Sequence, residues 1–275
     1  MTRLMTITAL WIVCATPLFA QQTPTVDDQR VSVAANFEVR NAYMFRGVRQ
    51  DDTGTITWPS ADVGLRLHAA EHGLTRARVL LGTFNSVHSG WGGSSGPSGK
   101  SWYESDVYTT LSLVFANVAA LDAAFTAYRS PNDMFTTVKE LSFKASVDRV
   151  AGLSLAPYAL AAFELDTAPG IGQVDGGFKA GKYLELGATP HHSWRRIDVA
   201  APVKVGLSIG NYYELAGQDD HFGFASVAAM VTLPIARWMN VHGGLEFERL
   251  GETTTAFNGG DASKTLASVG IGFAR

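Results

Sequence analysis

Residues 197–209 read I-D-V-A-A-P-V-K-V-G-L-S-I. Every odd position is apolar: Ile197, Val199, Ala201, Val203, Val205, Leu207 and Ile209. The even positions carry Asp198, Ala200, Pro202, Lys204, Gly206 and Ser208. An extended chain sends alternate side chains to opposite faces, so the stretch predicts a strand with one apolar and one mixed face. It is long for a strand of a globular sheet and suits a tilted, bilayer-spanning one.

The same period recurs along the chain. Thr265, Ala267, Val269, Ile271 and Phe273 alternate with Lys264, Leu266, Ser268, Gly270 and Gly272. Val241, Gly243, Leu245 and Phe247 alternate with His242, Gly244, Glu246 and Glu248. Twelve segments follow, near 31–45, 56–69, 73–86, 102–115, 118–129, 134–147, 153–166, 177–189, 195–209, 221–233, 239–250 and 263–274. Pro157 and Pro202 argue against central strands of a soluble sheet, since proline donates no ladder hydrogen bond; a barrel could hold them at a bulge.

The connections alternate in length. Those near 70–72, 116–117, 148–152, 190–194 and 234–238 are short. Those near 46–55, 87–101, 167–176, 210–220 and 251–262 are long and glycine-rich or acidic, with a shorter Ser-Pro-Asn-Asp at 130–133 in the same series. Tight turns at one end and longer loops at the other are the rhythm of an outer-membrane barrel. Tyr43, Phe45, Trp58, Trp102, Tyr103, Phe135, Phe178, Tyr212, Tyr213 and Phe222 gather at the long connections, with Trp194 and Trp238 at short ones. They are expected to form two interfacial girdles. In lipid, unpaired backbone groups are costly, so strands must close on themselves. The expected fold is all-β: a transmembrane, antiparallel up-and-down β-barrel of about twelve strands, residues 31–275.

The N-terminal segment M-T-R-L-M-T-I-T-A-L-W-I-V-C-A-T-P-L-F-A reads as a secretory signal peptide, 1–20, cleaved after Ala20. Residues 21–30 then form a short periplasmic extension. The one cysteine, Cys14, lies in the signal segment, and Val13 before it is too large for a lipid-anchor site. Neither disulfides nor thiolate metal sites are therefore expected. Loss of Arg3 leaves 21 of the 22 basic residues against 25 acidic ones, a net charge of −4, which argues against nucleic acid as a partner.

If the apolar face meets lipid, the other face lines the lumen. The expected inward bases are Arg40, Arg66, Arg76, Arg78, Lys144 and Lys204, with His68. The expected inward acids are Glu38, Asp62, Glu104, Asp106, Asp122, Glu140, Glu164, Glu185, Asp198, Glu246 and Glu248. This pattern suits a water-filled channel for passive diffusion of small polar solutes, sorted by size and field. Arg40, Arg66, Arg76 and Arg78, facing Asp106, Asp122, Glu246 and Glu248, are the expected lining. No catalytic residue, metal or cofactor is needed. Two alternatives are a closed structural or adhesive barrel and a membrane-embedded lipid-modifying esterase, which would need a Ser/His/acid cluster at one rim. A soluble periplasmic β protein is a third.

Residues 43–50 read Tyr43-Met44-Phe45-Arg46-Gly47-Val48-Arg49-Gln50. The stretch resembles the Tyr-x-Phe-Arg-Gly-x-Ser-Gln motif that ends an early strand in the TorF-type porins of Gram-negative bacteria, with Arg49 in place of the usual serine. The signal peptide, length and strand pattern agree over nearly the whole chain. The resemblance implies an outer-membrane barrel of porin type and hands over no catalytic site. It also implies outer-membrane lipid, lipopolysaccharide and the barrel-assembly machinery as partners. Tyr43 and Phe45 are expected at the lipid headgroups, Arg46 in the lumen or on a lipid phosphate, and Gly47 at a sharp strand exit.

Three other features carry less. Gly99-Lys100-Ser101 ends like a phosphate loop, but Ser94 stands where the first glycine belongs. His191-His192-Ser193 lacks a spaced third ligand. Its serine and histidines show no unusual spacing for a hydrolase, and neither do any others in the chain. Asp51-Asp52, Asp219-Asp220 and Asp261 make the loops acidic, as solvated loops or as sites sharing divalent cations with lipopolysaccharide.

Overall fold

The computed structural model describes residues 29–94, 98, 100–165 and 179–275. The expected signal segment, Phe178 and Gly99 lie outside them. The chain begins with β1 (Val31–Arg40), a short hairpin of β2 (Tyr43–Phe45) and β3 (Val48–Asp51), β4 (Ile56–Ala69) and β5 (Leu74–His88). A single turn, α1 (Trp91–Ser94), leads to β6 (Trp102–Phe115), β7 (Ala119–Tyr128), β8 (Val138–Val147) and β9 (Tyr158–Glu164). Next come β10 (Lys182–Ala188), β11 (His191–Trp194), β12 (Ile197–Ala200), β13 (Val203–Gly210) and the small pair β14 (Glu214–Leu215) and β15 (Gln218–Asp219). The chain ends in β16 (Phe222–Ala236), β17 (Met239–Leu250), α2 (Glu252–Phe257) and β18 (Ser263–Ala274).

Neighbours in sequence pair antiparallel around the wall, and β1 pairs with β18 on one side and β4 on the other, closing the barrel. Among the described residues the wall has twelve staves. Two of them are each interrupted into two strands, β10 with β11 and β12 with β13. Ala200 pairs with His191 and Val203 with Ala188, so the register runs unchanged past Pro190 and Pro202. Pro202 therefore interrupts a stave without a bulge. Pro157 falls just before β9, outside the ladder.

The period-two pattern has the predicted consequence. Leu81, Leu245 and Val269 point outward, 57–61% exposed, while Leu80, Glu246 and Ser268 beside them face in. No helix among the described residues is long and apolar enough to cross a membrane. Backbone pairing within a closed wall leaves no edge to lipid.

The inner face is unevenly filled. The half nearest the long loops holds two clusters of buried side chains, one around Tyr43, Trp58, Phe84, Tyr103 and Tyr128, the other around Tyr183, Tyr212, Tyr213 and Phe224. Several rings lie flat over a glycine directly across the ladder: Tyr108 over Gly82, Tyr158 over Gly187 and Phe224 over Gly206. A Cβ at those glycines would sit 2.2–2.5 Å from ring atoms, so only glycine allows this approach.

Candidate functional site in the barrel lumen

The segment after β1 does not leave at the lipid headgroups. It turns into the barrel as the β2–β3 hairpin. Phe45 pairs with Val48, and Arg46 and Gly47 between them both have positive φ (48° and 83°), as a type I′ turn requires. Tyr43, Met44, Phe45 and Val48 are all buried. The girdle expected from the sequence is corrected accordingly. Tyr43, Phe45, Trp58, Tyr103, Tyr212 and Tyr213 fill the lumen, Phe135 packs against them, and Trp102, Trp194, Phe222 and Trp238 remain exposed. Periodicity cannot tell a headgroup ring from a ring folded inward by a loop.

Arg46 holds the hairpin tip. Its Nη1 donates to Glu140 Oε2 at 2.7 Å and its Nη2 to Oε1 at 2.9 Å, a bidentate pair to β8. Nη1 also reaches the Tyr212 hydroxyl at 2.8 Å, and the guanidinium lies 4.2 Å from the Tyr183 ring centroid. Such a flat, forked cation suits a carboxylate and an aromatic face together. Asn258, just past α2, acts as a substitute strand: its amide donates to Gly47 O and its oxygen accepts from Arg49 N. The Tyr213 hydroxyl donates to Arg46 O. Tyr43 hydrogen-bonds Glu104, which also hydrogen-bonds Asp106.

The expected lining residues divide by height. Arg40 lies 3.5 Å from Glu38 and over the Trp58 ring, near Glu246 and Glu248. Lys204 pairs with Glu246 at 3.1 Å. Asp106 hydrogen-bonds Glu104 and accepts from the Arg129 backbone. Towards the end that carries the chain termini, Arg66 and Arg78 are direct cross-strand neighbours, with Arg76 next along β5. Arg78 lies against Gly64. Asp122 is opposite Lys144 on one side and Ser112 on the other. The expected facing set of arginines and acids is thus two groups at different levels. His68 is exposed, its Nε2 3.0 Å from Leu74 O.

A third constellation was missed in the sequence. Ser86 Oγ lies 2.7 Å from His88 Nε2, and His88 Nδ1 lies 2.9 Å from Asp51 Oδ2. Burial pushes the Asp51 carboxyl up, but hydrogen bonds from Thr53, Gly92 N and His88 outweigh it and hold it below its usual range. An ionised Asp51 places the proton on Nδ1 and leaves Nε2 to accept from Ser86. Ser86 and His88 are two apart on one strand face, so that spacing was visible; Asp51 joins them only through the infolded hairpin. The Ser86 oxygen also accepts from Trp58 Nε1 at 2.9 Å, and Tyr103 stacks on His88 at 4.3 Å. Ser86 and His88 have no exposed surface.

The acidic loop residues are engaged by protein donors. Lys264 Nζ lies 2.6 Å from Asp52, and Arg49 bridges Asp52 and Asp261. Asp219 accepts from Ser208 Oγ and from Asn211 N, and Asp220 from Phe222 N and Thr253 N. His191 Nδ1 faces Thr189 O, and His192 is exposed. Among the described residues no three His, Asp, Glu or Cys side chains could hold a metal ion.

No family model and no curated protein matches the chain. Solved structures do. The translocator domain of the autotransporter NalP from Neisseria meningitidis superposes with a TM-score of 0.50 at 12% identity, covering 91% of this chain and 90% of that one. An outer-membrane channel from Pseudomonas putida F1 gives 0.49 at 11%, covering 89% and 95%. The NanC porin gives 0.46 at 10%, covering 88% and 98%. The likeness to the translocator domain is one of fold: a closed outer-membrane β-barrel.

Proposed function

We propose that this chain is an outer-membrane channel of porin type that lets small polar solutes diffuse passively. The observation that carries the reading is the inner wall. Ionisable side chains run its whole height, from Arg66, Arg76 and Arg78 at one end to Glu104 and Glu140 near the other. A barrel that only had to be stable would fill its interior at less cost with apolar side chains, because buried charges carry a desolvation penalty. Lipid and lipopolysaccharide surround the apolar belt in this reading, and the barrel-assembly machinery inserts it. Planar-bilayer recording of the purified, refolded barrel tests it. Discrete conductance steps support the channel. A folded, heat-modifiable barrel without steps, also after loop removal, would make it a closed structural barrel.

The Ser86–His88–Asp51 relay favours a second reading, an esterase. Against it stands burial. Hydrolysis needs an acyl carbon about 3 Å from the serine oxygen and donors aimed at the developing oxyanion. Here Trp58 Nε1 and His88 occupy that oxygen, and aromatic rings close the space. The relay reads as an anchor of the hairpin on β5. A fluorophosphonate that labels the folded barrel, but not its Ser86→Ala variant, would reverse this.

A further inference from the structure

The β2–β3 hairpin forms a two-stranded sheet of its own, with no ladder to any stave. The β1–β4 ladder ends at the pair Arg40 and Ile56, so the whole excursion 41–55 lies beyond it. Removing the hairpin from the lumen would break no backbone pairing of the wall. Its fastenings are point contacts of side chains, among them Arg46 on Glu140 and Tyr212, Tyr213 on Arg46 O, Tyr43 on Glu104, Gln50 on Tyr103, Arg49 on Asp261, Asn258 on Gly47 and Arg49, and Asp51 on His88 and Gly92. Its apolar side chains complete the buried clusters.

We propose that this hairpin is a releasable plug, locked in the lumen by Arg46 on Glu140, and that the unplugged channel favours cations. The proposal rests on the channel reading above.

The lock is polar and buried. A bidentate ion pair away from water is stable only while both partners remain, and removing one strands the other charge. Arg46 keeps only 9% of its side chain exposed and Glu140 1%, so water reaches the stranded group freely only when the tip moves. The charge left behind sets selectivity. In the plugged barrel Glu140 is paired with Arg46, and Glu104 is hydrogen-bonded by Tyr43. Both partners belong to the hairpin. Once it leaves, Glu104, Asp106 and Glu140 face the passage without them, and rings of carboxylates favour cations.

Single-channel recording on the full chain tests this, with folding checked by the heat-dependent gel shift. The variants are Glu140→Gln, the pair Arg46→Met with Glu140→Leu, and a barrel with 43–51 replaced by a short Gly-Ser link. Expected is a largely closed native barrel and an open time raised about ten-fold or more in Glu140→Gln. The double variant, which has no stranded charge, should return towards native behaviour. The shortened barrel should stay open, with a cation-selective reversal potential in a salt gradient. Equal conductance in native and shortened barrels would overturn the plug and leave the channel standing. An anion preference in the shortened barrel would overturn the selectivity. Silence in every variant, the shortened barrel included, would overturn channel and plug together.

Discussion

Arg46 and Glu140 are 94 positions apart in the chain and meet as a bidentate pair inside the barrel, with the Tyr212 hydroxyl on the same guanidinium. The pair joins an infolded hairpin to the opposite wall. Arg46→Met should destabilise the barrel by about 3–5 kcal/mol, because it leaves the Glu140 carboxylate buried without its partner. Tyr212→Phe should cost about 1.5–3 kcal/mol, the range for a hydrogen bond to a charged group. The two effects should not add, since the hydroxyl matters here through Arg46. Urea unfolding in lipid vesicles measures the two single variants and the double variant that combines them. Additive losses would mean that Tyr212 acts through ring packing alone.

Leu245 sits midway along β17, pairs with Ala229 and Ala267, and projects outward. Leu245→Arg should cost about 2–4 kcal/mol in a bilayer, the penalty for a cation at the lipid midplane of a barrel. On a soluble β protein the same change of an exposed leucine would be close to neutral. Unfolding in vesicles therefore separates a membrane barrel from a soluble one, and an unchanged midpoint would count against the lipid-facing assignment.

The staves could be read from the sequence because each has one face in lipid and one in the lumen, which writes a period of two. β4, β6 and β18 run over the residues that this period marks. The hairpin could not be read this way. Ala42, Tyr43, Met44 and Phe45 are buried on both sides, so four apolar residues in a row prolong the apparent first strand. The remaining hint was local: Arg46-Gly47 between two apolar residues is a possible two-residue hairpin turn. The inner charges were visible as a face, yet their levels depend on strand stagger, which parity does not carry. That is why Asp106 meets Glu104 while the arginines of β4 and β5 cluster elsewhere.

Gly206 pairs directly with Phe224, and a Cβ there would lie 2.2 Å from the Phe224 ring. Phe224 is fully enclosed between Gly206, Gly47 and its cluster, so it cannot swing away without moving other rings. Gly206→Ala should destabilise by about 1–3 kcal/mol, the usual cost of overpacking. Gly210, four residues on, offers a contrast: its nearest foreign atom would be Lys182 Cδ at 3.5 Å, an ordinary contact. Gly210→Ala should be neutral within about 0.5 kcal/mol. Equal midpoints for the two variants would refute the ring-over-glycine account.

The rim latch should respond to acid. The hydrogen bond from Lys264, with the charges of Lys264 and Arg49, holds the Asp52 carboxyl below its usual range despite partial burial. A carboxyl depressed in the folded state contributes stability above its unfolded value of about 4, and that contribution fades as pH falls through the folded value. The group is about a quarter exposed, so the contribution should stay below about 1 kcal/mol. Between about pH 6 and pH 3, the span of carboxylate titration, the native barrel should lose stability more steeply than the Asp52→Asn variant. High salt should narrow the difference, because the pair is partly open to water. Proteolysis at the rim, followed against pH for both proteins, reads the latch locally. Identical pH profiles would show that Asp52 contributes nothing to holding the hairpin's return arm against β18.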